Sequence, residues 1–75
     1  MDNTFTHIAN AEEFANIANY IKIHATVTTD CYDECTSYTH NDFEYTVWND
    51  GIEEIVVDGM VTTLYPDGST RRWRW

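Results

Sequence analysis

The sequence predicts an α+β fold, one N-terminal helix packed on a four-stranded antiparallel β-meander. Three observations carry this expectation. Apolar residues between Ala11 and Ile23 recur at helical spacing. From Phe43 onward, four β-prone runs are separated by the turns Asn49-Asp50-Gly51, Asp58-Gly59 and Pro66-Asp67-Gly68. Seventy-five residues suffice for one domain and leave no room for a second.

The helix signal begins at Asn10, whose side-chain oxygen suits an N-cap. Glu12 and Glu13 follow in the first turn, where carboxylates complement the helix dipole. Glu13 stands three residues after Asn10, at capping-box spacing. Ala11, Phe14, Ala15, Ala18 and Ile21 mark one apolar face, widened by Ile17, and predict a helix over Ala11–Ile23. A competing alternation of Ile21, Ile23, Ala25 and Val27 would end it earlier. Between residues 26 and 40, Thr26–Thr29 and Cys35–Thr39 are β-prone around a turn at Asp30–Glu34. That pattern leaves open either an extra short strand or an irregular connection.

The four strands of the meander are Phe43–Trp48, Ile52–Val57, Met60–Tyr65 and Ser69–Trp75. A two-residue loop at Asp58-Gly59 sets Val57 opposite Met60 and Val56 opposite Val61. With three-residue loops at the other turns, one face carries Phe43, Tyr45, Val47, Ile55, Val57, Met60 and Leu64. The other carries Trp48, Ile52, Val56, Val61, Tyr65, Trp73 and Trp75. The helix is expected on the Phe43/Tyr45/Val47 face. The Trp-rich face is then to be closed by the N-terminal segment, a second copy or a target.

A chain this short buries roughly 60% of its unfolded surface, so its core is marginal. Three Trp, five Tyr and three Phe compensate. Charge is distributed unevenly. Residues 1–70 hold all 13 acids and one base, Lys22, which gives −12; Arg71, Arg72 and Arg74 then bring the chain to −9. Such a field repels nucleic acid and anionic membranes and attracts basic surfaces. The polar N-terminal residues lack the pattern of a signal peptide, and no apolar run approaches the length of a membrane span. Two cysteines are too few for a secreted disulfide framework, which predicts a cytoplasmic protein with reduced thiols.

Nine of the acids fall between Asp30 and Asp58, in a stretch without Lys or Arg. Aromatic and β-branched residues run through it, so it is folded acidic surface rather than a solvated tail. Carboxylates along a strand and its turns can stand in for phosphates in a basic groove. The expected contacts are Asp42, Glu44, Asp50, Glu53, Glu54 and Asp58, then Asp30, Asp33 and Glu34. Trp48 and Tyr65 serve as aromatic anchors. Glu53 and Glu54 point to opposite faces, so no single face carries every charge. In size and charge the chain resembles the small acidic inhibitors of phages and mobile elements, among them anti-CRISPR, anti-restriction and uracil-DNA-glycosylase-inhibitor proteins. The resemblance implies a basic nucleic-acid-binding protein as partner, a host nuclease or CRISPR-type effector, with no direct binding of nucleic acid or membrane. The alternatives are a homodimeric structural or regulatory module that buries the Trp48/Trp73/Trp75 face, with the acids serving solubility, and a small zinc-stabilised module.

Three further features have limited reach. His24, Cys31, Cys35 and His40 supply ligand types for tetrahedral zinc, but Cys-x3-Cys is looser than a usual knuckle and has no second pair. No cofactor is therefore expected; the cysteines otherwise form loop thiols or a disulfide. The terminal Arg71-Arg72-Trp73-Arg74-Trp75 reads best as a last strand whose arginines pair across the sheet, Arg71 lying near Glu54. An edge strand that adds to a partner's sheet is the other use. The sequence has no phosphate-binding Gly-rich loop and no nucleophile elbow, and nothing orients His7, His24 or His40, so an enzyme is not expected.

Overall fold

The computed structural model describes residue 8, residues 10–30 and residues 34–74. Helix α1 spans Ala11–His24, one residue longer than the spacing predicts. Asn10 caps it from an extended conformation, its side-chain oxygen accepting the Glu13 N–H at 2.9 Å. The helix does not yield to the strand-like alternation at its end, and Ile23 is 78% exposed. Its buried face is Phe14, Ile17, Ala18 and Ile21. Ala15 is exposed, so the apolar stripe is centred on Ile17 and Ala18 rather than on Ala11 and Ala15.

Among the described residues the sheet has six strands, not four. β1 is Val27–Asp30, β2 Cys35–His40, β3 Phe43–Trp48, β4 Glu53–Val57, β5 Met60–Leu64 and β6 Thr70–Arg74. They lie in sequence order, every neighbour antiparallel. The two added strands come from residues 26–40, whose β-prone runs form a hairpin extended by the Thr26 N–H to Thr39 C=O bond at 2.8 Å. β2 then reaches β3 through Asn41-Asp42, where Asn41 takes the left-handed φ of 54°. Asn tolerates that region, so this dipeptide is a hairpin turn without glycine.

The later turns follow the predicted register. Asp58 (φ 53°) and Gly59 (φ 77°) both sit left-handed, as a type I′ turn requires, and Val57 faces Met60. The Trp48 N–H bonds the Ile52 C=O at 2.8 Å and the Tyr65 N–H bonds the Ser69 C=O at 2.9 Å, which closes the two three-residue loops. Both faces therefore sort as expected for every described residue; Trp75 lies outside the described residues.

The helix packs over β2 and β3. Its apolar stripe meets Tyr45, Ile55 and Val57 in a core that also takes in Ile8, with Tyr38, Phe43, Val47 and Leu64 around it. Phe14 and Tyr45 meet edge to face at 6.2 Å, and Tyr38 stacks on Tyr45 at 5.8 Å. Lys22 Nζ lies 5.8 Å above the Tyr38 ring, within cation–π range. No helix among the described residues is long and apolar enough to cross a membrane.

Candidate acidic interface

Strand direction divides the acids between the two ends of the sheet. One rim collects the β1–β2, β3–β4 and β5–β6 connections, with Asp30, Glu34, Asp50 and Asp67. The opposite rim collects the helix exit, the β2–β3 turn and the β4–β5 turn, with Asp42 and Asp58. β3 separates the rims by about 17 Å at ~3.4 Å per residue, so the expected contacts do not form one patch. Glu44 and Glu54 lie on the face away from the helix, while Glu53, paired with Val47 and Leu64, lies on the helix side. Asp33 lies outside the described residues.

The first rim is tied together. The Asn49 N–H bonds the Glu34 C=O at 3.0 Å, which joins the β1–β2 connection to the β3–β4 turn. A methyl group at Gly51 would come within 3.2 Å of the Pro66 ring, so the β3–β4 turn abuts the β5–β6 turn; Gly51 also holds φ 93°. Asp50 accepts the Ile52 N–H at 3.0 Å. Asp67 accepts both the Ser69 N–H at 2.9 Å and its hydroxyl at 2.6 Å, and these bonds hold its carboxyl below the usual range. Glu34, Trp48, Asn49 and Asp50 line an open cleft of about 310 Å³ on this rim.

Glu53 is occupied elsewhere. The Tyr45 hydroxyl donates to its carboxylate in a short bond. Burial, then this bond and the carboxylate charge, push the Tyr45 phenol above its ordinary value. A carboxylate held against a core tyrosine is part of the fold's interior edge. The Tyr45 bond holds Glu53 on the helix side, while Asp67, which lies beyond the Asp30–Asp58 stretch, stands on the same rim as Asp50. The Pro66-Asp67-Gly68 turn was the signal that could have found it.

The uncovered face is closed in part by its own tryptophans. Trp48 Nε1–H donates to Glu54 at 3.3 Å, and Trp73 Nε1–H donates to Thr63 at 3.3 Å. Each indole thus reaches diagonally to a neighbouring strand. Thr63 and Val61 are buried on this face, and Ser37 and Thr46 share a hydroxyl bond at 3.0 Å. The indoles remain 38% and 39% exposed. Tyr65, half-buried, follows Leu64 and so alternates onto the same face. Arg71 stands in the row Glu54–Thr63–Arg71, as the register predicts. Thr63 separates the two charges by two strand spacings, about 10 Å. Among the described residues no arginine forms an ion pair with a carboxylate, so the expected cross-strand pairs do not form.

The proposed zinc set is divided. Cys35 is disulfide-bonded, so its sulfur is not a thiolate ligand and the expectation of reduced thiols does not hold. The one other cysteine in the sequence, Cys31, lies outside the described residues. Cys35 and His40 occupy opposite ends of β2, about 17 Å apart. Of the described members His24, Cys35 and His40, His24 and His40 come together, with ring centroids 5.5 Å apart. Among the described residues no group of three or more His, Cys, Asp or Glu side chains is placed to hold a metal.

No protein-family model matches this chain, and neither does any curated protein or solved structure.

Proposed function

We propose that the chain is a small acidic inhibitor of the phage or mobile-element type, anti-CRISPR or anti-restriction in action. It would occupy the nucleic-acid-binding surface of a host nuclease or effector in the cytosol. The observation that carries this reading is the first rim, where three interlocked connections present Asp30, Glu34, Asp50 and Asp67 in a row. Alternate connections stand two strands apart, about 10 Å. That interval lies between the widths of the minor and major grooves of DNA, about 6 and 12 Å, across which phosphates face one another. Glu54 and the half-exposed Trp48 and Tyr65 flank the row on the uncovered face. Aromatic rings beside carboxylates give a basic, arginine-bearing partner both charge and stacking contacts. Lys22, the one base in residues 1–70, sits in the last helical turn and so toward the opposite rim.

The test compares two variants of equal charge. One carries Glu34→Gln, Asp50→Asn and Asp67→Asn on the first rim. The other carries Asp42→Asn, Glu44→Gln and Asp58→Asn toward the opposite rim. Each serves as bait in nuclease-treated host lysate after both are shown to fold. Capture of a nucleic-acid-binding protein by wild type and by the second variant, with loss in the first, supports the rim. The captured protein should associate more slowly as salt is added. Equal loss in both reduces the effect to net charge. Equal capture by both, with a dimer in solution, favours the homodimer built on the Trp48/Trp73 face.

A further inference from the structure

The geometry points to a second site: His24 and His40 form a two-imidazole chelate for a divalent transition-metal ion. His40 binds through Nδ1, His24 through a ring nitrogen, and water completes the coordination.

Three observations meet at this place. The two rings belong to different elements, the last residue of α1 and the last residue of β2, yet their centroids lie 5.5 Å apart. An imidazole centroid stands about 3.2 Å from a metal bound at ~2.0–2.1 Å through one nitrogen. Two such legs span about 5.2 Å at a tetrahedral angle and about 6.4 Å when opposed. The observed 5.5 Å corresponds to an angle of about 120° at the metal, a spacing that one ion can bridge once the ring nitrogens turn toward it. Second, His40 Nδ1 is buried and has no hydrogen-bond partner. A buried polar atom left unpaired is costly, and a bound ion is one of its ordinary explanations. The other nitrogen, Nε2, lies 3.4 Å from the Asn41 amide; binding through Nδ1 puts the ring proton on Nε2, and turning the amide over presents its oxygen to accept that proton.

Third, the surroundings hold the rings and favour a cation. Tyr20 packs on His24 at 4.4 Å one helical turn away and on His40 at 5.7 Å, while Phe43 flanks His40 at 6.1 Å. His24 closes the helix, at the negative end of its dipole. Imidazole ligands select nickel, copper and zinc over magnesium and calcium, which take oxygen ligands. The site is thus chemically distinct from the acidic rim, whose carboxylates prefer the latter ions. It also stands at the opposite end of the sheet.

The experiment titrates the full chain with Ni²⁺ and with Zn²⁺ in excess Mg²⁺, followed by calorimetry and by the histidine ring resonances. Wild type is expected to bind one ion per chain, with His24 and His40 resonances moving together and Tm rising with metal concentration. His24→Ala and His40→Ala should each weaken binding at least about tenfold, while His7→Ala leaves it unchanged. If His40→Ala fails to fold, His24→Ala still carries the test, because His24 is exposed at the helix end. Absence of saturable binding overturns the site. So does binding that survives in His24→Ala, that Mg²⁺ displaces, or that only His7→Ala abolishes.

Discussion

Tyr45→Phe tests the link between core and charge in this fold. Tyr45 is 5% exposed, packed between Phe14 and Tyr38, and its hydroxyl is the donor to Glu53. Phenylalanine keeps the ring and its packing and removes only the hydroxyl. A hydrogen bond to a charged group contributes about 1.5–3 kcal/mol, and the carboxylate left behind is half-buried. At ~0.05–0.15 kcal/mol per residue, a 75-residue chain has about 4–11 kcal/mol in all. The substitution should therefore remove a substantial fraction of the stability and lower Tm by several degrees. The phenol adds a second signature. Its folded pKa is raised above the unfolded value near 10, so the native state holds the proton that the unfolded chain releases. The contribution is fully present below pH 10 and is lost as pH rises toward the folded value, at up to about 1.4 kcal/mol per pH unit. Urea unfolding of both proteins at pH 7, 10 and 11 reads both effects. Wild type should lose its advantage over Tyr45→Phe across the alkaline points. Equal stability at pH 7 together with parallel alkaline loss would refute the assigned bond, and Glu53→Gln in a double-mutant cycle isolates the pairwise term.

Four other outcomes are expected. Phe14→Ala empties the centre of the helix–sheet contact, where the ring is fully buried, and should cost about 3–5 kcal/mol, enough to leave much of the chain unfolded by circular dichroism. Reduction of the Cys35 disulfide should lower stability, by about 2–4 kcal/mol for a typical disulfide, read as a lower urea midpoint in dithiothreitol. Asp67 has a depressed carboxyl pKa, so its stabilising contribution is present above the unfolded value near 3.9 and fades as pH falls through the lower folded value. Asp67→Asn should accordingly flatten that acid limb in a pH series of thermal melts. Trp73→Ala should uncover Val61 and Thr63 and lower stability, while Trp48→Ala should act mainly on partner binding, measured by pull-down beside thermal melts.

The later meander is legible because its turns carry their own geometry. Asp58-Gly59 and the two Gly-terminated loops fix strand pairing, pairing fixes the faces, and the faces place the helix. Residues 26–40 are harder. Their turn Asn41-Asp42 lacks glycine, and β1 is exposed along its whole length, so no apolar alternation marks it. A strand exposed along its length leaves only β propensity as a signal, and that is weak. The candidate interface is legible residue by residue but not as a surface. Alternation gives the opposite directions of Glu53 and Glu54, whereas the partnership of Glu53 with Tyr45 depends on diagonal side-chain reach. The coincidence of His24 with His40 depends on where the helix exit meets the end of β2, which neither segment states alone.

The rim's acids raise a question of cause, because turn chemistry by itself favours aspartate. Asp50 and Asp67 each accept an N–H two residues on, and Asp58 occupies a left-handed position. These duties would place acids at the ends of any such meander, whatever the protein binds. Asparagine performs the same duties, since its side-chain oxygen accepts the same bonds and it tolerates the same backbone region. The chain uses asparagine at Asn41 and Asn49, inside the same class of turn. Choosing aspartate at 50, 58 and 67 therefore adds three negative charges that turn geometry does not require. Glu34, Glu44 and Glu54 have no backbone role among the described contacts of their carboxylates, and their exposure or half-exposure leaves the charge facing outward. Solubility alone would favour a surface that intersperses both signs. Here three of the four bases lie in one edge strand, and the fourth lies at the end of the helix. A charge that exceeds both the needs of folding and the pattern of ordinary surfaces is the physical reason to look for a basic partner at the interlocked rim.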